Sequence, residues 1–362
     1  MQIGYKRKMQ FLILGIVVIF FFSMTVKTTV PGFNTPAEAM RNLYTWIELN
    51  LARLFHQPIW LDRFDVIMAL GGSYQDTVSR FLISVITFAC GMLLALSGNI
   101  FQSVFRNPIA APAMLGVGTG VHIGIVVLVL TYETAAYGMP GTKYAYCYLF
   151  ALIMLGAVML IAKLSSGKRK FSVFDLLIVA SIFSSVVGAV TSFFTYGMDN
   201  DLALVMQDIS NAIIVNTDSL SLGILGIVTL ISVLPFFLLR FSFNAVCFDN
   251  EESSSMGVNT RFIKFFSLVL GSLMVVAGMV HSGSVGMISL MVPFISRSLF
   301  GAESRNLFWG NLLLGGLVLL ICRDIAAFIP YGNHGFPIGG IVQFLSMPIF
   351  ILILISGRRT WE

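Results

Sequence analysis

Charge is scarce in this chain. Asp, Glu, Lys and Arg make up 11% of its 362 residues, against about 25% in a soluble domain. So few charges cannot clothe a water-facing surface, which excludes an ordinary soluble globule. Ten-residue alternating segments are also missing, which excludes a membrane barrel. Cysteine is sparse: Cys90, Cys147, Cys247 and Cys322 show no metal-type spacing and no disulfide framework. All but Cys247 lie within apolar runs and read as small buried hydrophobes. The frames that carry catalysis are absent too. The nearest string to a phosphate loop, Ser166-Gly167-Lys168-Arg169, lacks the first glycine and the hydroxyl. Leu96-Ser97-Gly98 echoes an ATPase signature but sits inside an apolar run. There is no H-E-x-x-H, and Ser284 in HSGSVG has no G-x-S-x-G frame. No catalytic residue, metal site or nucleotide site is therefore expected in this chain.

What is present is apolar sequence. Hydrophobic residues make up 57% of the chain, gathered in runs of roughly 17 to 24, enough to cross about 30 Å of hydrocarbon as helix. The expected fold class is all-α, a polytopic membrane protein of about ten transmembrane helices. The spans read Met9–Val26, Arg80–Phe101, Ala111–Thr131, Tyr144–Leu164, Phe174–Tyr196, Ser219–Leu239, Arg261–His281, Val285–Phe300, Arg305–Phe328 and Pro337–Ser356. Lys6, Arg7 and Lys8 before an apolar run resemble a secretory signal. Ser23-Met24-Thr25-Val26-Lys27 is a poor cleavage site, so residues 1–26 read as an uncleaved first helix. Residues 27–79, with Trp46 and Trp60, read as a long extracytoplasmic loop, with a short interfacial helix as one reading of part of it.

The net charge of +5 reads as membrane orientation rather than a nucleic-acid patch. With the N-terminus inside, Lys6, Arg7, Lys8, Arg106, Lys163, Lys168, Arg169, Lys170, Arg240, Arg261, Lys264, Arg297, Arg305, Arg358 and Arg359 all fall on the cytoplasmic side. The outer loop 197–218 carries Asp199, Asp201, Asp208 and Asp218 instead. Both termini are expected in the cytoplasm, in a multi-pass protein of the bacterial cytoplasmic (inner) membrane.

Spans two to five and seven to ten form two groups of four, separated by the sixth, that enter the membrane from opposite sides. An inverted repeat is the expectation. Gly116, Gly120 and Gly124 recur every four residues, as close helix packing requires. Prolines in or beside spans, at Pro108, Pro112, Pro293, Pro337 and Pro348, imply broken helices, tolerated only against protein or a water cavity. Pro293, in the shortest span, either lines a pathway or kinks the helix for packing. Arg323 and Asp324, near the outer end of the ninth span, are either functional or satisfy neighbours there. His281 and His334 either meet at an outer mouth or are ordinary loop-edge histidines. The carboxylates Asp175 and Asp324 lie at span ends, which counts against an ion-coupled secondary transporter.

Four stretches resemble one family. LSGNIFQSVFRNPIAAPAMLGVGTG (96–120) is similar to S-G-x-x-x-Q-x-x-x-x-N-P-L-A-x-P-x-x-L-G-x-x-x-G, matching at Gly98, Gln102, Asn107, Pro108, Pro112, Gly116 and Gly120. NEESSSMGV (250–258) is similar to G-E-x-A-x-x-L-G-V. GSVGMISLMVPFISR (283–297) is similar to G-x-I-G-F-V-G-L-x-x-P-H-x-x-R, at Gly286 and Pro293. FPIGGIVQFLSMPIFILIL (336–354) is similar to L-P-V-G-x-x-T-A-x-x-G-x-P-x-F, at Pro337, Gly339 and Pro348. Residues 80–362 thus resemble the FecCD-type permeases of ATP-binding-cassette importers, which take up iron-siderophores, haem and cobalamin.

The resemblance implies a cobalamin-permease-like fold. It implies a homodimer, or a heterodimer with a related permease, with the pathway on the dimer axis. Cytoplasmic ATPase subunits would dock on the coupling loop 244–260, at Asn250, Glu251, Glu252, Ser253, Ser254, Ser255, Met256 and Gly257. ATP-Mg would be held by those partners, leaving no cofactor in this chain. An extracytoplasmic substrate-binding protein would dock at Arg80, while Ile83 and Phe328 stand where the family has further docking arginines. The function implied is import of iron-siderophore complexes, with haem or cobalamin import, or an ion-coupled carrier, as alternatives. A large hydrophilic chelate calls for a wide, weakly adhesive lumen, expected along the fifth, eighth and tenth spans, with 165–172 as an inner gate.

Overall fold

The computed structural model describes residues 2–25, 39–47, 64–132, 140–166, 173–197, 219–239, 259–283, 285–301, 303–329 and 336–356. The long helices are α1 (Gln2–Thr25), α2 (Phe64–Phe105), α3 (Val117–Tyr132), α4 (Pro140–Ser166), α5 (Val173–Tyr196) and α6 (Ser219–Leu239). They continue with α7 (Thr260–Ser282), α8 (Ile288–Phe300), α9 (Ser304–Phe328) and α10 (Ile338–Ser356). A 3-10 turn, Pro112–Leu115, precedes α3. Every expected span is a helix, and the fold is all-α among the described residues. Among the described residues, five helical stretches, Tyr5–Thr25, Thr77–Phe105, Tyr144–Leu164, Phe262–Ser282 and Ser304–Phe328, are long and apolar enough to cross a membrane.

The main departure is at α2. It begins at Phe64, so residues 64–79, read as part of the loop, are helical; residues 39–47, with Trp46, form the short helix expected as one reading of that loop. Gly71, Gly72, Ser73, Gln75 and Asp76 break the apolar run there, while the helix continues through them.

The packing repeats. Helix α2 lies against α7, α8 and α9, and α7 lies against α2, α3 and α4. Helix α3 packs on α4 and α5, and α4 on α5; in the same way α8 packs on α9 and α10, and α9 on α10. Pairing α2 with α7, α3 with α8, α4 with α9 and α5 with α10 carries each contact onto another. The two four-helix groups have exchanged their first helices across the middle of the bundle. Such an exchange of matching contacts between two groups is the packing of an internal structural repeat.

Helix α2 is the interior of the bundle. Leu93, Leu94, Ala95, Leu96 and Ile100 are wholly buried. In lipid, burying apolar side chains gains little, and close backbone approach does more of the work. Gly91 and Gly315 provide it between α2 and α9, where a Cβ on either would overlap the carbonyl of the other.

Candidate functional site

Two helices are too short to cross. Helix α8 has 13 residues, about 20 Å at the helical rise, and α3 has 16, about 24 Å. Each follows a break, and they hold equivalent places in the two groups. Paired interrupted helices of this kind mark the pathway in repeat-built transporters.

The first break is written into the sequence. Arg106, at φ 50, ends α2 in the left-handed region. Asn107 Oδ1 accepts from the Ile109 amide at 3.0 Å, and its carbonyl accepts from the Ala110 amide at 3.1 Å. The side-chain bond is an Asx turn. Pro108 follows, and Pro112 opens the 3-10 turn. Gly116 closes that turn at φ 75, a backbone conformation that strongly favours glycine. Gly120, on α3, lies where a Cβ would press on Ala151 and Met154 of α4.

The second break meets the first on α2. Pro293 has no amide hydrogen, so the Ser289 carbonyl one turn before it loses its helical donor. Gly98 of α2 lies directly against that carbonyl, and any Cβ there would overlap it. One turn further along α2, Gln102 Nε2 donates to the Leu290 carbonyl at 3.3 Å. Arg297 Nη2 donates to Asn99 Oδ1 at 3.4 Å. Gly286 receives Ser289 Oγ at 2.6 Å and the Ser289 amide at 3.0 Å, shaping the turn into α8. Gly98, Gln102, Gly286 and Pro293 are thus brought together as one junction. Ile109 and Ala111 from the first break then pack with Leu290 and Phe294 of α8 and Ile349 and Phe350 of α10. Pro337 starts α10, its carbonyl accepting from the Gly340 amide at 3.1 Å. Gly339 is half-buried, and Pro348 is exposed within the same helix.

Arg80 is 1% exposed and points inward, with Nη1 3.5 Å from the Met24 carbonyl. That placement is at odds with an outer-face docking contact. Nearby, Arg323 Nη1 donates to Ser84 Oγ at 2.7 Å, and Ser23 Oγ donates to Asp324 Oδ1 at 3.0 Å. Arg323 Nε is 3.6 Å from Asp324 Oδ1. Arg323 and Asp324 therefore bond to neighbours on α1 and α2. Neither Ser23 nor Ser84 was named as a site residue from the sequence, where their only signal is a hydroxyl near one end of an apolar span. His281 is buried too, its Nδ1 3.0 Å from the Ala277 carbonyl and its ring stacked on Tyr144 at 4.8 Å. It does not face an open mouth, and His334 lies outside the described residues. So do the coupling residues Asn250, Glu251, Glu252, Ser253, Ser254, Ser255, Met256 and Gly257, and residues 167–172 of the expected inner gate. Among the described residues no group of three metal-ligating side chains forms.

Of the three spans expected to line a lumen, α8 is mostly buried in the bundle. The other two present open faces. Helix α5 exposes Ile178, Ser181, Ile182, Ser185, Val186 and Val190, and α10 exposes Gln343, Phe344, Met347 and Ile351. The exposed hydroxyls on α5 bond back to their own helix, Ser181 Oγ donating to the Ile178 carbonyl and Ser185 Oγ to the Ser181 carbonyl, each at 2.9 Å, while the half-buried Ser184 Oγ accepts from Thr119 of α3 at 3.2 Å. Such a face offers little to hold a polar cargo.

A sequence model of the FecCD transport family matches residues 45–356. The chain is 26% identical over 275 residues to a probable iron chelatin transport system permease protein of Helicobacter pylori, covering 76% of this chain and 80% of that protein. It is 26% identical over 291 residues to the hemin transport system permease protein HmuU of Yersinia pestis, covering 77% and 82%. In fold it is similar to a solved chain described as a metal-chelate type ABC transporter in an inward-facing conformation. That match has a TM-score of 0.72 at 20% identity, over 97% of this chain and 99% of the other.

Proposed function

The chain belongs to the FecCD transport family and is a permease subunit of an ABC importer, and we propose that its cargo is an iron-siderophore complex. The match over residues 45–356, with its motif residues gathered at the α2–α8 junction, carries this reading. Two cytoplasmic ATPases hold ATP-Mg and dock on Asn250–Gly257. An extracytoplasmic binding protein delivers the chelate, and a second copy or a related permease completes the pathway in the cytoplasmic membrane, with both termini inside. Open α5 and α10 faces of apolar side chains and self-satisfied hydroxyls suit a bulky hydrophilic cargo that must not stick.

Coupling is mechanical. The docking loop runs directly into α7, whose start is capped by Asn259, its Oδ1 accepting from the Phe262 amide at 3.1 Å. Helix α7 packs on α2 with Gly278 against Leu94 and Gly271 against Phe101. A push on the loop thus reaches α2, and through Gly98 and Gln102 it reaches α8.

The test is ATPase activity in liposomes holding this chain, its partner ATPase and a binding protein loaded with ferric siderophore. Stimulated hydrolysis that Glu251→Ala or Gly257→Trp uncouples supports the assignment. Stimulation only by a haem- or cobalamin-loaded binding protein replaces the cargo. Failure to associate with any ATPase overturns the whole reading.

A further inference from the structure

The two open helices, α5 and α10, are each tied to the short helix of their own group. Helix α5 packs on α3 and on the 3-10 turn before it, and α10 packs on α8. At the first of these contacts Thr119 Oγ1, in the first turn of α3, donates to Ser184 Oγ at 3.2 Å. Gly116, which closes the break before α3, lies against the same hydroxyl, so that a Cβ there would stand 2.9 Å from Ser184 Oγ. At the second contact Ser346 Oγ of α10 lies 3.5 Å from Sδ of Met291, in the first turn of α8. Ser346 also donates to the Val342 carbonyl of its own helix at 2.6 Å. A hydroxyl has one proton to give, so the tie to sulfur is the weaker of the two. Both side chains of this second contact are buried, Ser346 at 1% and Met291 at 3% exposed.

The pairing of α3 with α8 and of α5 with α10 carries one contact onto the other. In each, a serine of the open helix meets a side chain in the first turn of the short helix, beside a break. Both contacts also lead back to α2. Helix α8 is held to α2 at Gly98 and Gln102, and α3 follows α2 through the first break. A displacement of α2 therefore reaches α10 through Met291 and Ser346, and α5 through Thr119 and Ser184. Hydrogen bonds between membrane helices are weak, because a parted group finds another partner in the bundle. A tie of that strength orders a helix and still lets it move.

We propose that Ser184 and Ser346 are positioning residues for transport, each the latch through which a short broken helix sets the place of an open pathway helix. Helix α3 acts on α5 through Thr119, and α8 acts on α10 through Met291. The latches extend the mechanical coupling of the proposed function and rest on that reading for their part in uptake. Their hold on α5 and α10 does not depend on the cargo, so the two readings fail separately.

The test uses the full chain with changes that keep the shape of the core. Thr119→Val removes a hydroxyl at nearly constant shape, and Met291→Leu removes a sulfur at nearly constant volume. Pulsed electron paramagnetic resonance reads the distance from a nitroxide at Leu230 on α6 to one at Val190 on α5 or at Ile351 on α10, all exposed positions. The background is Cys247→Ser, with the buried Cys90, Cys147 and Cys322 left in place. Thr119→Val should broaden the α5 distance and leave the α10 distance sharp, and Met291→Leu should do the reverse. Thr119→Ser keeps the hydroxyl and should keep both distances sharp. So should Thr229→Val on α6, whose hydroxyl bonds to the Leu225 carbonyl of its own helix. In ATP-driven uptake of ferric siderophore, Thr119→Val and Met291→Leu should each lower the maximal rate about threefold to tenfold. They should raise the ATP used per chelate and leave KM unchanged, a split that loss of folded protein does not give, and Thr119→Ser should restore the rate. Distances that stay sharp in both variants, or that broaden alike on both helices, overturn the latches. Distances that respond while coupled uptake is undiminished overturn their part in transport. If the native importer takes up no ferric siderophore while the distances respond as stated, the cargo assignment fails and the latches stand.

Discussion

Helices α2 and α5 are both strongly apolar and both cross the bundle, yet they are used in opposite ways. From Leu93 to Gln102 every residue of α2 is buried, while α5 leaves most of its residues open from Ile178 to Tyr196. Hydropathy does not separate them, because lipid receives an apolar side chain as readily as a protein interior does. Small residues and polar partners make the difference. On α2, Gly91 and Gly98 admit the backbones of α9 and α8, and Gln102 and Ser84 reach partners on other helices. On α5, Gly188 has nothing within 4 Å of where a Cβ would stand, and the hydroxyls of Ser181, Ser185 and Thr191 bond within the helix, while that of Ser184 meets another helix, at Thr119 of α3. Position within a membrane bundle is set by who can approach whom, and the helix left open is free to face a pathway.

Substitutions can break this contrast, and their effects on stability should fall in order. Asp324→Ala leaves the Arg323 guanidinium buried without its carboxylate and should destabilise by about 3–5 kcal/mol. Thermal unfolding of the purified chain reads it, with Asp324→Asn falling between. Gly98→Val drives a side chain into the Ser289 carbonyl and should destabilise by about 1–3 kcal/mol. Gly188→Val, made on the open helix, should change stability by less than about 1 kcal/mol. Equal effects of the two would erase the distinction between the helices. Gln102→Ala removes the bond to the Leu290 carbonyl and should cost about 1 kcal/mol. Its larger effect should be on ATP-coupled uptake, since the α2–α8 junction is held there. Val186→Trp on α5 should leave the unfolding midpoint unchanged within about 0.5 kcal/mol while obstructing uptake.

The spans were legible because runs of apolar residues long enough to cross are rare by any other route, and the breaks were legible because proline cannot donate. The first helical turns of α2 were not, because Gly71, Gly72 and Asp76 end the apolar run without ending the helix. Gly98, Gln102, Gly286 and Pro293 could be named from the sequence. Their meeting could not, because it depends on α2 lying against the second group rather than its own. The Ser23–Ser84–Arg323–Asp324 cluster draws on three helices far apart in the chain, and no local pattern announces it. Arg80 shows the limit of resemblance: a matched position carries over the residue, while the neighbours from α1 decide which way it points.

The central claim is that a chelate passes along the open α5 face of an ATP-driven permease. It is tested most directly by uptake of radiolabelled ferric siderophore into liposomes holding the assembled importer. Val186→Trp on α5 is compared there with Ile13→Trp on the exposed flank of α1. The expected result is ATP-dependent uptake that Val186→Trp abolishes and Ile13→Trp leaves intact. Uptake that survives Val186→Trp, or falls equally with both, would contradict the account.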